Sequence, residues 1–532
     1  MGKFLCFFLC CLVFDLLIAV STVAAQTLST DSRWIVDETG QRVKLSCVNW
    51  PSHLEVVVAE GLSKQPVDEI SEEIRSLGFN CVRLTWPLFL FTNDTLAART
   101  VRQSLTNLGL FEAIAGFQTN NPDIIDLPLI DAYQWWVVLG RKNVMIILDN
   151  HTSKPGWCCG DDDGNGFFGD QYFNPNLWVK GLTRVATTFK STKNVVGMSL
   201  RNELRGRRQN VYDWYRYMQK GAEAVHSANP NVLVILSGLK YDRDLSFLLN
   251  KPVTLTFSKK LVYELHWYGF SNGQAWATGN PNQVCGQLVA ETASKAGFLL
   301  DQGYLNCFMG WAAELDVDWA LWALTGSYYI REGVVGYEET YGVYNWNWCD
   351  VRNQTTLHKI SALQYPLRGP GYTERRPHKI LFHPMTGLCV KRLSFIEPLV
   401  LGPCSEAEAW SYTPQQTLTI KGTYFCLQAD ALGHPTKLGI ICTDTTSKWE
   451  AVSDSKMHLS SKLEDGTNVC LDVDSDNNVV TNNCKCLDNK NNKCDPASQW
   501  FKLIDSTRCG ADRSFLLEIN SVLKLVAKQF LE

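Results

Sequence analysis

Seven apolar runs of strand length, separated by amphipathic stretches, constrain this chain more than any other feature. They are Val43–Trp50, Asn80–Trp86, Asn143–Asn150, Val195–Asn202, Val232–Ser237, Leu261–Tyr268 and Asp316–Leu324. Between them, Pro66–Leu77 opens on proline and is followed by Gly78, and Val211–Ala228 repeats apolar residues at helical spacing. Strands alternating with helices over such a length predict a parallel sheet, either doubly wound or closed on itself. No glycine-rich phosphate loop follows the first run, which argues against a nucleotide-binding sheet and for a barrel.

In a parallel barrel the chemistry is built at the C-terminal ends of the strands. The second run carries Arg83 before Trp86, the third ends Asp149-Asn150-His151, and the fourth ends Arg201-Asn202-Glu203. The sixth reads Glu264-Leu265-His266-Trp267-Tyr268, and the last holds Trp319 and Trp322. Taken singly, His266 reads as a structural histidine, Arg83 as an ion-pair residue, and the tryptophans as packing. Glu203 differs, because an Asn-Glu pair capping a buried strand has little structural use. Together these groups favour a pocket that hydrogen-bonds hydroxyls and stacks an indole on a sugar's apolar face. A partly buried Glu there would supply the proton that a glycosidic oxygen needs in order to leave.

After a linker rich in proline and glycine (Tyr365–Pro377), helical periodicity stops and a short unit recurs three times. Cys389 to Cys404 is followed by Trp410, Cys426 to Cys442 by Trp449, and Cys470 to Cys484 by Trp500. One cysteine pair per unit would staple each lobe, with the three tryptophans meeting in a shared core. Cys486 and Cys494 offer a further bridge.

The barrel segments Gly78–Trp86, Leu148–His151, Arg201–Leu204, His266–Tyr268 and Asp318–Gly326 resemble secreted plant proteins of glycoside hydrolase family 5 that carry a C-terminal ricin-B-type lectin domain. The resemblance spans nearly all of residues 30–507. It implies an α/β (β/α)8 TIM-type barrel followed by an all-β β-trefoil, and hydrolysis of O-glycosyl bonds in β-linked polysaccharide by a retaining, two-carboxylate mechanism. It further implies Glu203 as general acid/base and Asn202 as the partner of a sugar 2-hydroxyl. Arg83, His151, His266 and Tyr268 would shape the subsite around the cleaved bond, with Trp322 as its platform. In the trefoil only the third unit, with Asp472 early and Gln499-Trp500 at its close, fits a lectin sugar site. Packing against the barrel explains that domain as well as sugar binding does.

One part of the family pattern is missing. A retaining glycosidase needs a second carboxylate about 5–5.5 Å from the first, and the family places that nucleophile at the end of the seventh strand. Here Val284–Leu300 and Tyr304–Glu314 read as two helices back to back, so seven strands are expected, the seventh of the family pattern being absent. Cys285 and Cys307 flank the gap and are placed to pair. Glu264 lies deeper in the barrel, Glu314 on an outer helix, and Glu332, Glu338 and Glu339 in the loop after the last strand, within possible reach of the site. The nucleophile is not found, and impaired catalysis is expected. The alternatives are a catalytically inactive carbohydrate-binding protein and a non-functional truncated product; the gap itself could be natural, a splice variant or a gene-prediction error.

The remaining features bound the setting. Lys3, the apolar stretch from Phe4 to Val20 and the small residues Val23-Ala24-Ala25 read as a signal peptide. The expected organisation is signal peptide 1–25, barrel 26–365, linker 366–378, trefoil 379–507 and an atypical tail 508–532. Secretion to the extracellular space or cell wall is expected. Nineteen cysteines favour an oxidising compartment and disulfides over metal ligation, and Asn93, Asn150 and Asn353 begin glycosylation sequons. A net charge of −4 with evenly mixed signs speaks against a nucleic-acid partner. No membrane span, cofactor or metal is implied, the expected partner is a glycan, and a monomer is expected.

Overall fold

The structure is a computed structural model that describes residues 27–139, 144–266, 273–295, 303–372, 377–487 and 494–507. The signal-peptide and tail segments, and Tyr268, lie outside the described residues. All seven predicted strands are present: β1 (Ser46–Trp50), β2 (Cys81–Pro87), β3 (Met145–Thr152), β4 (Val195–Ser199), β5 (Leu233–Leu236), β6 (Leu261–Tyr263) and β7 (Trp319–Leu321). They form one parallel sheet in the order β6-β5-β4-β3-β2-β1-β7. Every residue of β2 is buried, as expected for an inner strand covered on both faces. The strands at the two ends are barer, with Tyr263 38% exposed at the end of β6. Among the described residues no strand stands between β6 and β7.

Helices cover the sheet because their apolar stripes repeat at helical spacing. α1 (Val67–Ser76) buries Val67, Ile70 and Ile74, and α2 (Pro175–Thr188) buries Trp178, Leu182 and Val185. α3 (Val211–Ala228) ends where its periodicity does, with Asn210 capping its first turn by accepting from the Asp213 N–H. Between β6 and β7 run α4 (Pro281–Lys295) and α5 (Gly303–Leu315), joined by a Cys285–Cys307 disulfide as the flanking positions suggested.

The C-terminal residues form two antiparallel sheets, one of eight strands and one of four. Their disulfides are Cys389–Cys404, Cys426–Cys442, Cys470–Cys484 and Cys486–Cys494, the pairs the repeat anticipated. The tryptophans depart from expectation. Trp410 and Trp449 share a core with Leu381, Leu427 and Leu471, but Trp500 does not. It packs instead with Cys285, Cys307 and Met457, and its Nε1 donates to Asn282 Oδ1 at 2.9 Å. The third unit thus turns its tryptophan toward α4 and α5. The apolar face of α5 is completed by the same domain, with Phe308, Trp311 and Ala312 clustering with Ile380, Phe382 and Ile504. A Cβ on Gly286 would meet the Asp454 carbonyl oxygen at 2.7 Å, so glycine there lets α4 abut the second domain.

The segment read as a linker is held on both sides. Leu367 N and Arg368 N donate to Asp316 Oδ2 at 2.8 and 3.0 Å, and Arg42 N donates to Pro370 O at 2.9 Å. Asp316 is buried and also receives Lys44 Nζ at 2.9 Å and the Arg42 guanidinium. Burial alone would raise its pKa, but the Lys44 and Arg42 charges and their hydrogen bonds outweigh burial and hold it below its ordinary value of 3.8. A depressed folded-state pKa gives stability that is present above the unfolded value and lost as pH falls through the folded one. We expect Asp316→Asn to cost about 3–5 kcal/mol at neutral pH, because two buried cations lose their counter-charge. Denaturant titration checks this, and the variant's stability should fall less than the wild type's on acidification below pH 3.8.

Candidate active site

The register of the sheet brings the polar groups together. Asn49 of β1 pairs with Arg83 of β2, and Asp149 of β3 pairs with Ser199 of β4. Arg83 is buried at the centre. Its Nη1 lies 2.9 Å from Asp149 Oδ2 and 3.1 Å from Asn49 Oδ1. Its Nη2 reaches Asn202 Oδ1 and Glu264 Oε1, both at 3.3 Å. The ion-pair reading of Arg83 therefore holds, and the same side chain gathers Asn49, Asn202 and Glu264 around it.

Two histidines fill the β3 side. His151 Nδ1 is 2.6 Å from Asp149 Oδ2, the His53 ring lies tilted by 35° against His151 with centroids 3.9 Å apart, and Trp322 stacks on the same imidazole at 5.5 Å. Burial first, and then neighbouring positive charge, holds both imidazoles well below the ordinary value of 6.5. They stay neutral in the folded protein while the unfolded chain takes up protons near pH 6.5, so each weakens the fold as pH drops through that value. We expect the imidazole resonances of His53 and His151 to stay fixed between about pH 5 and 8, as checked by NMR titration.

Glu203 follows β4 in a loop, with a positive φ of 40°. Strain of this sort is concentrated at functional sites, where surrounding contacts hold it. Those contacts are visible: Asn202 N donates to Asn150 O at 3.0 Å, and Arg205 Nη1 donates to Glu203 O at 2.8 Å. The Glu203 carboxylate meets His266 Nδ1 at 2.9 Å, and His266 Nε2 faces Asp242 Oδ2 at 3.6 Å. Asp242 is fully buried in a run of three left-handed residues, Lys240, Tyr241 and Asp242. Burial, reinforced by the Glu264 charge, raises its pKa well above the usual carboxylate value.

Of the residues expected from the sequence, Arg83, His151, Asn202, Glu203, His266 and Trp322 are linked through these contacts. Trp319 makes none of these contacts; it meets Phe79 edge-on at 6.0 Å, and its Nε1 donates to Leu363 O at 3.0 Å. Glu264 has a side chain 15% exposed and lies against Arg83 and the Ser199 hydroxyl. Of the other candidate carboxylates, Glu332 has a side chain 62% exposed and comes no closer than 3.7 Å to Arg331 Nε, while the rest have close partners. Glu339 is buried on Tyr328 Oη at 2.7 Å, Glu338 pairs with Arg352 at 2.7 Å, and Glu314 pairs with Lys502 at 2.8 Å. Asp472 in the C-terminal domain is buried, taking Gln499 Nε2 at 3.0 Å and Asn482 Nδ2 at 3.2 Å. The Asn150 sequon is corrected by its setting: that side chain is wholly buried in the sheet, where a glycan has no room. Sequence reasoning missed His53, Asp242 and the Cys158–Cys159 disulfide beside Glu203. Only the adjacent cysteines carried a signal that could have been read.

The fold is shared with solved proteins. The catalytic domain of the major endoglucanase from Xanthomonas campestris pv. campestris matches with a TM-score of 0.51 at 19% identity, over 63% of this chain and 99% of that one. Residues 36–349 match the family model described as Cellulase (glycosyl hydrolase family 5). The class is therefore that of the glycoside hydrolases. A glycosyl hydrolase 5 family protein of Chamaecyparis obtusa is 42% identical over 533 residues, covering 93% of this chain and 95% of that protein. An endoglucanase of Paenibacillus polymyxa is 24% identical over 262 residues, covering 45% of this chain and 59% of that enzyme. The chain belongs to glycosyl hydrolase family 5. Among the described residues, no helix is long and apolar enough to cross a membrane.

Proposed function

We propose that the strand-end cleft binds β-linked polysaccharide, with Glu203 as the proton donor to the glycosidic oxygen, and that unaided turnover is impaired for want of a nucleophilic carboxylate. The observation that carries this reading is the unpaired pair of edges, β6 and β7, where α4 and α5 run in place of a strand among the described residues. Glu203, with His266 at 2.9 Å, is half of a two-carboxylate machine. Asn202 would hold the sugar 2-hydroxyl, Arg83, His151 and His266 would shape the subsite, and Trp322 would carry the ring face. Tyr268 keeps its proposed place there on the resemblance alone. The names of the endoglucanase relatives support a β-glucan as substrate class.

The C-terminal unit is read as a ricin-B-type β-trefoil, supported by its three stapled repeats. A secreted protein fits the disulfide content, and a monomer is proposed with it. The deciding experiment is cleavage of activated aryl β-glycosides with and without azide, a small anion that can attack the anomeric carbon in place of a missing carboxylate, releasing the aryl oxide and leaving a glycosyl azide. Turnover only with azide is the expected result. Turnover without azide would mean that a second carboxylate is present. Glycan binding with no turnover under either condition would instead favour the carbohydrate-binding reading.

A further inference from the structure

The loop after β3 carries a disulfide between adjacent residues, Cys158 and Cys159, and it stands directly against the proposed proton donor. Both sulfurs and a Glu203 carboxylate oxygen lie within 4.8 Å of one another. Asn202 Nδ2 is 3.6 Å from each sulfur. Joined to each other, the sulfurs are not thiolates, so they offer no ligand charge and no nucleophile. They offer a compact, polarisable, apolar surface closed into a small ring.

That surface is held in place. The Arg205 guanidinium is fully buried and donates from Nε to Gly160 O at 3.0 Å and from Nη1 to Glu203 O at 2.8 Å. One side chain thereby ties the disulfide loop and the Glu203 loop to a common point. Just before the pair, Trp157 meets Trp322 edge-on at 6.4 Å, with the Arg331 guanidinium 3.4 Å from its ring centroid. The wall therefore runs from Trp322 through Trp157 to the two sulfurs, and Cys159 is only partly buried. A β-glucopyranose ring placed on Glu203 carries its hydroxyls equatorially and presents axial C–H groups on both faces. A polarisable, apolar sulfur surface can pack on such C–H groups through dispersion and burial of apolar area.

We propose that the Cys158–Cys159 disulfide is a sugar-contacting wall of the cleft, packing on a C–H face of a pyranose ring beside Glu203. This rests on the reading of the cleft as a β-glycan site. Calorimetry with cellotetraose is the test, using wild type, Trp322→Ala and the double variant Cys158→Ser/Cys159→Ser, with thermal melts to show folding. The double variant should bind about tenfold more weakly at a similar melting temperature, in line with loss of one buried apolar contact on the ring.

A second measurement needs no variant. Peptide-resolved reductive alkylation of the wild type should slow at Cys158 and Cys159 in saturating cellotetraose, and stay unchanged at Cys389 and Cys404. Equal affinity in the folded double variant, while Trp322→Ala loses binding, overturns the wall and leaves the glycan cleft standing. An unchanged alkylation rate at Cys158 and Cys159 under bound sugar overturns it equally. A wild type that binds no oligosaccharide removes the cleft reading and the wall with it.

Discussion

Replacing Glu203 by Gln should reduce azide-supported cleavage of an unactivated cello-oligosaccharide by about 10²–10⁴-fold, the usual yield of a positioned proton donor. The amide keeps the shape of the carboxylate and can still meet His266, which stands 2.9 Å from Glu203 Oε1 in the wild type. It has no proton of suitable acidity to give. Oligosaccharide affinity should change little, because Arg83, Asn202 and Trp322 are untouched. The loss should shrink for a dinitrophenyl glycoside, whose leaving group departs without protonation. Product analysis by chromatography checks both arms, and an equal loss for the two leaving groups would remove Glu203 from the role of acid.

Trp500→Ala should lower stability by about 3–5 kcal/mol, the range for emptying a buried indole site. Trp500 is 1% exposed, and it is wedged against the Cys285–Cys307 disulfide. The substitution also removes the donor to Asn282 Oδ1, leaving that oxygen the Ser455 hydroxyl at 3.0 Å. The damage should reach the barrel, because Phe308 and Trp311 of α5 cluster both with Trp319 and Leu321 of β7 and with Ile380, Phe382 and Ile504 of the C-terminal domain. Chemical denaturation, with hydrogen exchange followed on α5, checks this. Protection lost only in the C-terminal sheets would show that the two domains are uncoupled. Ending the chain at residue 372 should expose the apolar face of α5 and yield an aggregating barrel, since Phe308, Trp311 and Ala312 would lose Ile380, Phe382 and Ile504.

The strands were readable because inner strands of a parallel sheet are buried on both faces and become nearly continuous apolar runs, as Ile146–Leu148 and Leu233–Leu236 are. The helices were readable for the related reason that one face alone is buried, as in α3. Glu203 stood out because a charged residue ends such a run. By contrast, the partners of Arg83 come from β1, β3 and the segments after β4 and β6, and only the register of the sheet brings them within hydrogen-bonding distance. Asp242 lies in a left-handed turn with no motif to mark it.

Two misreadings have the same origin. Trp410, Trp449 and Trp500 occupy equivalent places in three similar units, and local pattern alone assigns them one environment. The barrel helices break that equivalence, because the third unit is the one that faces α4 and α5. Asn150 satisfies a three-residue rule, and its complete burial comes from strands far away in sequence. The sequence by itself determined which segments become strands and helices and which strand ends bear polar and charged groups, since both follow from local periodicity and residue type. Tertiary structure alone decided which side chains meet, which carboxylates are tied up and which helices pack on the C-terminal domain. Those depend on distances between segments that no local pattern encodes.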